Sequence, residues 1–132
     1  MVLVDSNIIL DIWYRDPVWE RWSRTELLRL GTIEELAINP IIYAEVSTRF
    51  HTQHETDQAL EALQLAILEI PLQAAFLAGK AYRSYRKSSG TRTNVLPDFF
   101  IGAHAAVLGY PLLTRDTRRY AAYFPTVRLI AP

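Results

Sequence analysis

The chain opens Met1-Val2-Leu3-Val4-Asp5-Ser6-Asn7-Ile8-Ile9-Leu10-Asp11, and the expected fold turns on this stretch. Val2 to Val4 is a short apolar run rich in β-branched residues, the pattern of a buried strand. It ends on an acid. Ser6 and Asn7 are helix N-cap types and an apolar pattern resumes at once, so a helix is expected to begin here. Asp5 then stands at the carboxyl end of a central strand, beside a helix N-terminus. In open α/β sheets that edge is where ligands bind.

Working outward, Asp16-Pro17 suits a cap followed by the first helical position, with the second helix running to about Leu30 and closing at Gly31. Glu35 to Ile38 reads as a second strand, and Asn39-Pro40 as a turn. Ile41 to Phe50 is expected to be helical, His51 to Thr56 a polar loop, and Asp57 to Ile67 an amphipathic helix with Leu60, Leu63 and Ile67 on one side. Leu68-Glu69-Ile70 reads as a short strand ended by Pro71. A long helix is expected over Gln73 to Ser88, and a loop over Ser88 to Leu96, where Ser, Gly, Thr and Asn crowd together. Pro97-Asp98 opens a helix over Phe99 to Leu108 that is apolar almost all round and hence buried. Gly109 ends it. Tyr110 to Thr114 and Val127 to Ile130 read as strands around a short helix near Thr117 to Tyr123. Strands alternating with helices predict a parallel sheet with helices on both faces, with strand-to-helix junctions along one edge.

Composition narrows the classes. The 132 residues amount to about one domain, half of them apolar, so a full core is expected. There is no cysteine, which excludes disulfides and thiol nucleophiles and suits a reducing cytoplasm. The formal net charge is zero, so any nucleic-acid contact must come from a local patch. No apolar stretch reaches the roughly 18 residues of a membrane span, and no basic region precedes an apolar one as in a signal peptide. The chain starts with its first expected strand and ends two residues after the last, leaving little room for tails.

Four acids fall at related places. Asp5 and Asp116 follow strands, Glu45 lies within about two turns of the helix after the second strand, and Asp98 sits at a helix N-terminus. Carboxylates converging on one edge repel unless cations neutralise them. Oxygen ligands favour Mg²⁺ or Mn²⁺, and paired divalent ions held by carboxylates are a recurrent device for phosphodiester hydrolysis.

Leu3-Val4-Asp5-Ser6-Asn7, Glu45, Pro97-Asp98-Phe99-Phe100-Ile101-Gly102-Ala103-His104-Ala105 and Leu113-Thr114-Arg115-Asp116-Thr117-Arg118 resemble, in order and across essentially the whole chain, the four acidic motifs of PIN-domain ribonucleases. The VapC-type toxins of type II toxin–antitoxin pairs are the branch in question. The resemblance implies a single three-layer α/β/α PIN-like domain over residues 1–132. It also implies metal-dependent endonuclease cleavage of RNA, with Asp5, Glu45, Asp98 and Asp116 as metal ligands and catalytic acids, and Asn7 and Thr114 as hydrogen-bonding supports. Mg²⁺ or Mn²⁺ as cofactor, a homodimer and a cognate antitoxin partner follow from it as well.

Each residue also has a plainer reading. Asp5 and Asp98 suit helix caps or first-turn acids, Glu45 a surface acid and Asp116 a turn. Asp11 reads as a solvated acid and Asp16 as a cap. His104, inside an apolar helix, reads as a hydrogen-bonded structural histidine, and His51 and His54 as loop residues. Trp13, Trp19 and Trp22 read as core or interface. Lys80, Arg83 and Lys87 share a helix face at i, i+3 and i+7, with Arg86 and Arg92 nearby, and are candidate phosphate contacts or an ordinary solvated face. Arg115, Arg118 and Arg119 are candidate substrate contacts or partners of nearby acids. Two other functions remain open: a scaffold module of the same fold whose acids hold no metal, and an aspartyl-phosphate phosphoryl-transfer domain. The second is disfavoured by Asn at position 7 and by the lack of a strand ending on Lys.

Overall fold

The computed structural model describes residues 1–88, 90–92 and 94–132. Ser89 and Thr93, inside the stretch expected as loop, lie outside the described residues. In chain order the elements are β1 (Val2–Val4), α1 (Ser6–Trp13), α2 (Glu20–Gly31), β2 (Leu36–Ile38), α3 (Pro40–Ser47), α4 (Gln53–Ala62), β3 (Leu65–Ile67), α5 (Leu72–Lys87), α6 (Leu96–Leu108), β4 (Leu112–Leu113), α7 (Arg118–Tyr123) and β5 (Leu129–Ile130). The five strands form one sheet in the order β3-β2-β1-β4-β5, every pairing parallel. Helices flank the sheet, giving the expected three-layer α/β/α arrangement. β1 is central and fully buried. The chain steps outward from β1 to β2 and β3, then crosses back to β4 on the other side. The strand order therefore reverses between β1 and β4, a switch point where the carboxyl ends of two strands leave a crevice.

Three expectations need correction. The polar stretch His51 to Thr56 is not all loop. Thr52 caps α4, its hydroxyl accepting from the Glu55 amide at 3.1 Å, and Glu55 reaches back to Thr52, a capping box. The helix that follows stops at Ala62, short of Ile67. Gln64 takes a left-handed backbone, φ 57°, between α4 and the next strand. Left-handed turns of this kind usually carry Gly or Asn, so the break has no glycine to mark it. The third strand is therefore Leu65–Ile67 and not Leu68 to Ile70, because the apolar residues freed by the break pair with β2. Smaller shifts occur elsewhere. Asp16 accepts from the amides of Val18 and Trp19, forming a turn, and α2 begins three residues after Pro17. Gly31 remains helical and Thr32 is the C-cap, whereas Gly109 ends α6 with φ 69° as expected.

The core is sheet plus the inward faces of α1, α3, α5 and α6. α6 is nearly encased: Phe99, Ile101, Gly102, Ala103, His104 and Ala105 are all buried. Tyr82, Tyr85, Tyr123 and Phe124 surround the Phe99 ring, with centroids 5.2–6.0 Å away. The close approach is possible because residue 102 has no side chain. A Cβ there would stand 2.3 Å from Phe124 Cδ2, and that ring is itself only 3 % exposed. Gly102→Ala should therefore destabilise by about 1–3 kcal/mol through overpacking, despite the ~1 kcal/mol that Ala gains over Gly in a helix. Urea unfolding of the two proteins checks this; equal or higher stability of the variant would mean that Phe124 gives way freely.

Candidate functional site

The crevice between β1 and β4 is built around Asp5. The residue leaves β1 in extended conformation, φ −69° and ψ 151°, and its carboxylate caps α1. The cap is thus the acid itself, not Ser6 or Asn7. Asp5 Oδ1 accepts from the Ser6 amide at 2.8 Å. Oδ2 accepts from the hydroxyl of Thr114 at 2.8 Å, the hydroxyl of Tyr120 at 3.0 Å and the amide side chain of Asn7 at 3.3 Å. Thr114, at the end of β4, has one proton to give and gives it to Asp5, while its oxygen accepts from Asn7 Nδ2 and from the Asp116 amide. Asn7 in turn accepts from the Arg115 amide at 3.3 Å, so it laces the two strand ends together.

Asp5 is 4 % exposed. Hydrogen bonds to an ionised group contribute about 1.5–3 kcal/mol each, yet burial outweighs them: it pushes the Asp5 carboxyl from 3.8 up to about 6, with the Asp98 charge adding to the rise. Glu45 reaches the same crevice from α3. Asn39 caps that helix, its Oδ1 accepting from the Ile42 amide at 3.0 Å, and Pro40 occupies the first turn. Ser6 Oγ then donates to Glu45 Oε1 at 3.0 Å, joining the second acid to the first. Burial raises Glu45 above the ordinary range, and Asp5 and Asp98 raise it further. Asp98 stands in the first turn of α6, half-buried. Burial raises it too, opposed by Arg119, whose guanidinium forms a direct ion pair with Asp98 Oδ2. Asp116 is exposed beyond Thr114 and its charge is felt by Asp98.

Asp5, Glu45, Asp98 and Asp116 thus share one region but do not close on a point. Among the described residues, no three acidic or histidine side chains stand near enough to hold a single ion. The donor set is still the right kind. All of its ligands are oxygens, hard donors suited to Mg²⁺ or Mn²⁺. Three of the carboxyls have a raised proton affinity that a nearby cation would lower. One positive charge is already supplied to the cluster, by Arg119.

The basic candidates separate. Arg115 is committed to Asp11, through Nε at 2.6 Å and a terminal nitrogen at 2.8 Å, and lies over the Trp19 ring. Asp11 is not a solvated acid: it is 3 % exposed and also accepts from the Ser23 hydroxyl at 2.7 Å. Lys80 lies over the Phe76 ring on the exposed side of α5, and Arg83 and Lys87 are exposed on the same helix. Arg118, Arg119 and Arg92 instead line a cleft of about 390 Å³ with Tyr85, Tyr123 and Asp116. Ser6 and Tyr120 have the clearest local roles that the sequence did not signal, whereas Arg119 pairs with a nearby acid, one of its two expected readings. His104 is structural, as expected. Asn39 Nδ2 faces its Nδ1 at 3.1 Å, and because the amide donates, the proton sits on Nε2, which has no partner among the described residues. Burial lowers its proton affinity.

The model of the PIN domain family matches residues 2–125 of the chain. No curated protein matches the chain. Among solved structures, the chain is similar to one from the toxin–antitoxin complex of Klebsiella pneumoniae, at 24% identity and TM-score 0.69, covering 100% of this chain and 98% of that one. It is also similar to a chain of VapBC-1 from nontypeable Haemophilus influenzae, at 19% identity and TM-score 0.73, covering 99% and 98%. A chain of FitAcB from Neisseria gonorrhoeae matches at 21% identity and TM-score 0.68, covering 100% and 98%. At these identities the similarity is one of fold.

Two outcomes follow from the geometry. Arg115→Ala should lower stability by about 3 kcal/mol, because it strands a buried Asp11. A variant as stable as the parent in urea would return Arg115 to the pool of free surface cations. The second concerns pH. A carboxyl whose folded pKa is raised gives stability that is present below its unfolded value and lost as pH rises through the folded one. Without metal, Asp5 should therefore cost stability as pH rises from about 4 to above 6, an effect of up to ~3 kcal/mol for a shift of this size. His104 acts oppositely: its lowered pKa makes stability fall as pH drops below 6.5. In Asp5→Asn the first slope should shrink to what Glu45 and Asp98 contribute, and the His104 slope should weigh more in the profile. Urea midpoints between pH 4 and 7.5 in chelator measure both, and identical profiles for the two proteins would contradict the burial of an ionised Asp5.

Proposed function

The chain belongs to the PIN domain family, and from that premise we propose that it is the toxin nuclease of a type II toxin–antitoxin pair, a Mg²⁺- or Mn²⁺-dependent endoribonuclease. The observation that carries this is the crevice at the reversal of strand order, where Asp5, Glu45 and Asp98 all hold protons more tightly than ordinary carboxyls. Such a cluster is costly for a fold and useful chiefly to a cation. One solved structure of similar fold, from Klebsiella pneumoniae, is described as a toxin–antitoxin complex, which supports an antitoxin as partner. A homodimer and a cytoplasmic location belong to the same reading, as does a single domain.

In this mechanism Asp5, Glu45, Asp98 and Asp116 would hold the metal, directly or through water. Bound there, the metal would lower the pKa of an attacking water and stabilise the leaving oxygen of a phosphodiester. The chain supplies the rest. Thr114, Tyr120 and Asn7 fill the lone pairs of Asp5 Oδ2 and keep it ionised and fixed, so Oδ1, with the Ser6 amide as its short-range donor, is the oxygen left for a ligand. Ser6 fixes Glu45 at a set distance from it. Arg118 and Arg92 line the adjoining cleft, where they can meet the phosphates of an RNA strand. Arg115 contributes through Asp11, by holding the connection between β4 and α7 against α1. Lys80, Arg83 and Lys87 line no part of the cleft and are at most peripheral contacts.

The test is cleavage of total RNA by the purified chain. Discrete fragments should form with Mg²⁺ or Mn²⁺ and vanish with excess chelator. Asp98→Asn, prepared identically, should lose at least the ~10–100-fold that removing even a supporting partner costs a metal site. Equal cleavage by both proteins would sink the assignment of Asp98. No cleavage, together with no Asp98-dependent Mn²⁺ binding, would favour the scaffold reading.

A further inference from the structure

Arg119 joins two features that are otherwise separate. Its guanidinium pairs with Asp98, and the same side chain lines the cleft beside Arg92, Arg118 and Asp116. It is 17 % exposed, well inside the surface, and lies 6.0 Å from the centre of the Tyr85 ring. Its position is set from behind: the next residue, Tyr120, is 1 % exposed and bonded to Asp5. α7 is therefore anchored on the first acid while presenting a cation to the third. Neither Arg92 nor Arg118 forms an ion pair among the described residues. Only Arg119 of the three cleft arginines is spent on the acid cluster.

With Oδ2 carrying the guanidinium, Asp98 cannot offer that oxygen to a divalent ion, and its charge is already partly neutralised. The two cations compete for the same charge. We propose that Arg119 is an exchangeable counter-ion: it neutralises Asp98 in the metal-free protein, is displaced when the metal binds, and then serves the RNA phosphate in the cleft it already lines. This rests on the metal-dependent reading above and adds an order of events to it. Metal loading and exposure of a phosphate-binding arginine become one step. The Tyr85 face gives the released guanidinium a surface to lie on, since arginine stacks on aromatic rings. Removal of Arg119 should accordingly do two opposite things. It should tighten metal binding, because the competitor has gone, and weaken RNA binding in the presence of metal, because a phosphate contact has gone.

Arg118→Gln is the control, since it removes the same charge from the same cleft without touching Asp98. The experiment titrates Mn²⁺ by calorimetry or by the loss of its free paramagnetic signal, into wild type, Arg119→Gln, Arg119→Lys, Arg118→Gln and Asp98→Asn. Binding of an RNA oligonucleotide is then measured in saturating Ca²⁺, an oxygen-binding divalent ion used in place of the activating Mg²⁺ or Mn²⁺, with the strand checked to be intact afterwards. Arg119→Gln should bind Mn²⁺ several-fold to ten-fold more tightly than wild type, Arg119→Lys should fall between, and Arg118→Gln should change it less than two-fold. Oligonucleotide affinity with metal should fall several-fold in Arg119→Gln. Unchanged or weaker Mn²⁺ binding in Arg119→Gln overturns the exchange, and so does an equal gain in Arg118→Gln, which would reduce the effect to general charge. If wild type shows no Mn²⁺ binding that depends on Asp98, the metal-dependent reading fails first, and the exchange with it.

Discussion

The arrangement depends on one buried carboxylate. Asp5 leaves the central strand into a crevice nearly closed to solvent, and four donors from β1–α1, β4 and α7 converge on it. Those donors come from residues as far apart in sequence as 6 and 120. The bonds that keep Asp5 ionised are therefore also tertiary contacts that pin α7 and the end of β4 to the first helix. Even so, burial prevails and the carboxyl holds its proton up to about pH 6. The fold accepts an electrostatic cost at the point where its tertiary contacts meet, and such an arrangement persists when function requires it.

Topology explains why this cost appears here. Parallel strands send their carboxyl ends to one edge, and the reversal of order between β1 and β4 leaves those two ends without a crossover helix between them. Asp5 and Thr114 end adjacent strands and meet directly. Glu45 has to come from further along α3, so its contact is made through Ser6. Asp98 arrives on α6, a helix that packs tightly only because Gly102 admits the Phe124 ring. The precision of the site thus rests on packing some distance from it.

Much of this was legible in the chain. Val2 to Val4 ending on Asp5 announced a central strand, and the alternation of elements announced a parallel sheet. What failed were boundaries marked by ordinary residues. Gln64 turns the backbone left-handed with no glycine to advertise it, and that displaced the third strand by three residues. The Thr52-x-x-Glu55 capping box was present in the sequence but hidden in a polar stretch. The acids of the site were readable because chemistry constrains their type and their place after strands. Tyr120 was not, since a tyrosine on a short helix carries no signal until the fold brings it to Asp5; for Arg119 the sequence left substrate and a nearby acid both open, and the fold brings it to Asp98. Asp11 was misread because its partner, Arg115, lies over a hundred positions away.

The two arginines flanking the last acidic motif show why net charge is a poor guide to such a molecule. Arg115 and Arg119 each pair with an aspartate, and by formal count the pairs cancel. Their settings differ. Asp11 is buried, also bonded to Ser23, and receives Arg115 through two nitrogens, so that pair is a fixed part of the fold. Asp98 is only half-buried, receives Arg119 through one nitrogen, and has its proton affinity raised by burial and by the charge of Asp116. A pair with both nitrogens engaged and a hydroxyl beside it resists exchange, whereas a single bond at the mouth of a cleft does not. A chain of zero formal charge can thereby keep a concentrated negative crevice beside a cleft lined by arginines: some of its charge is locked into structure, and the remainder stays available to whatever enters the site.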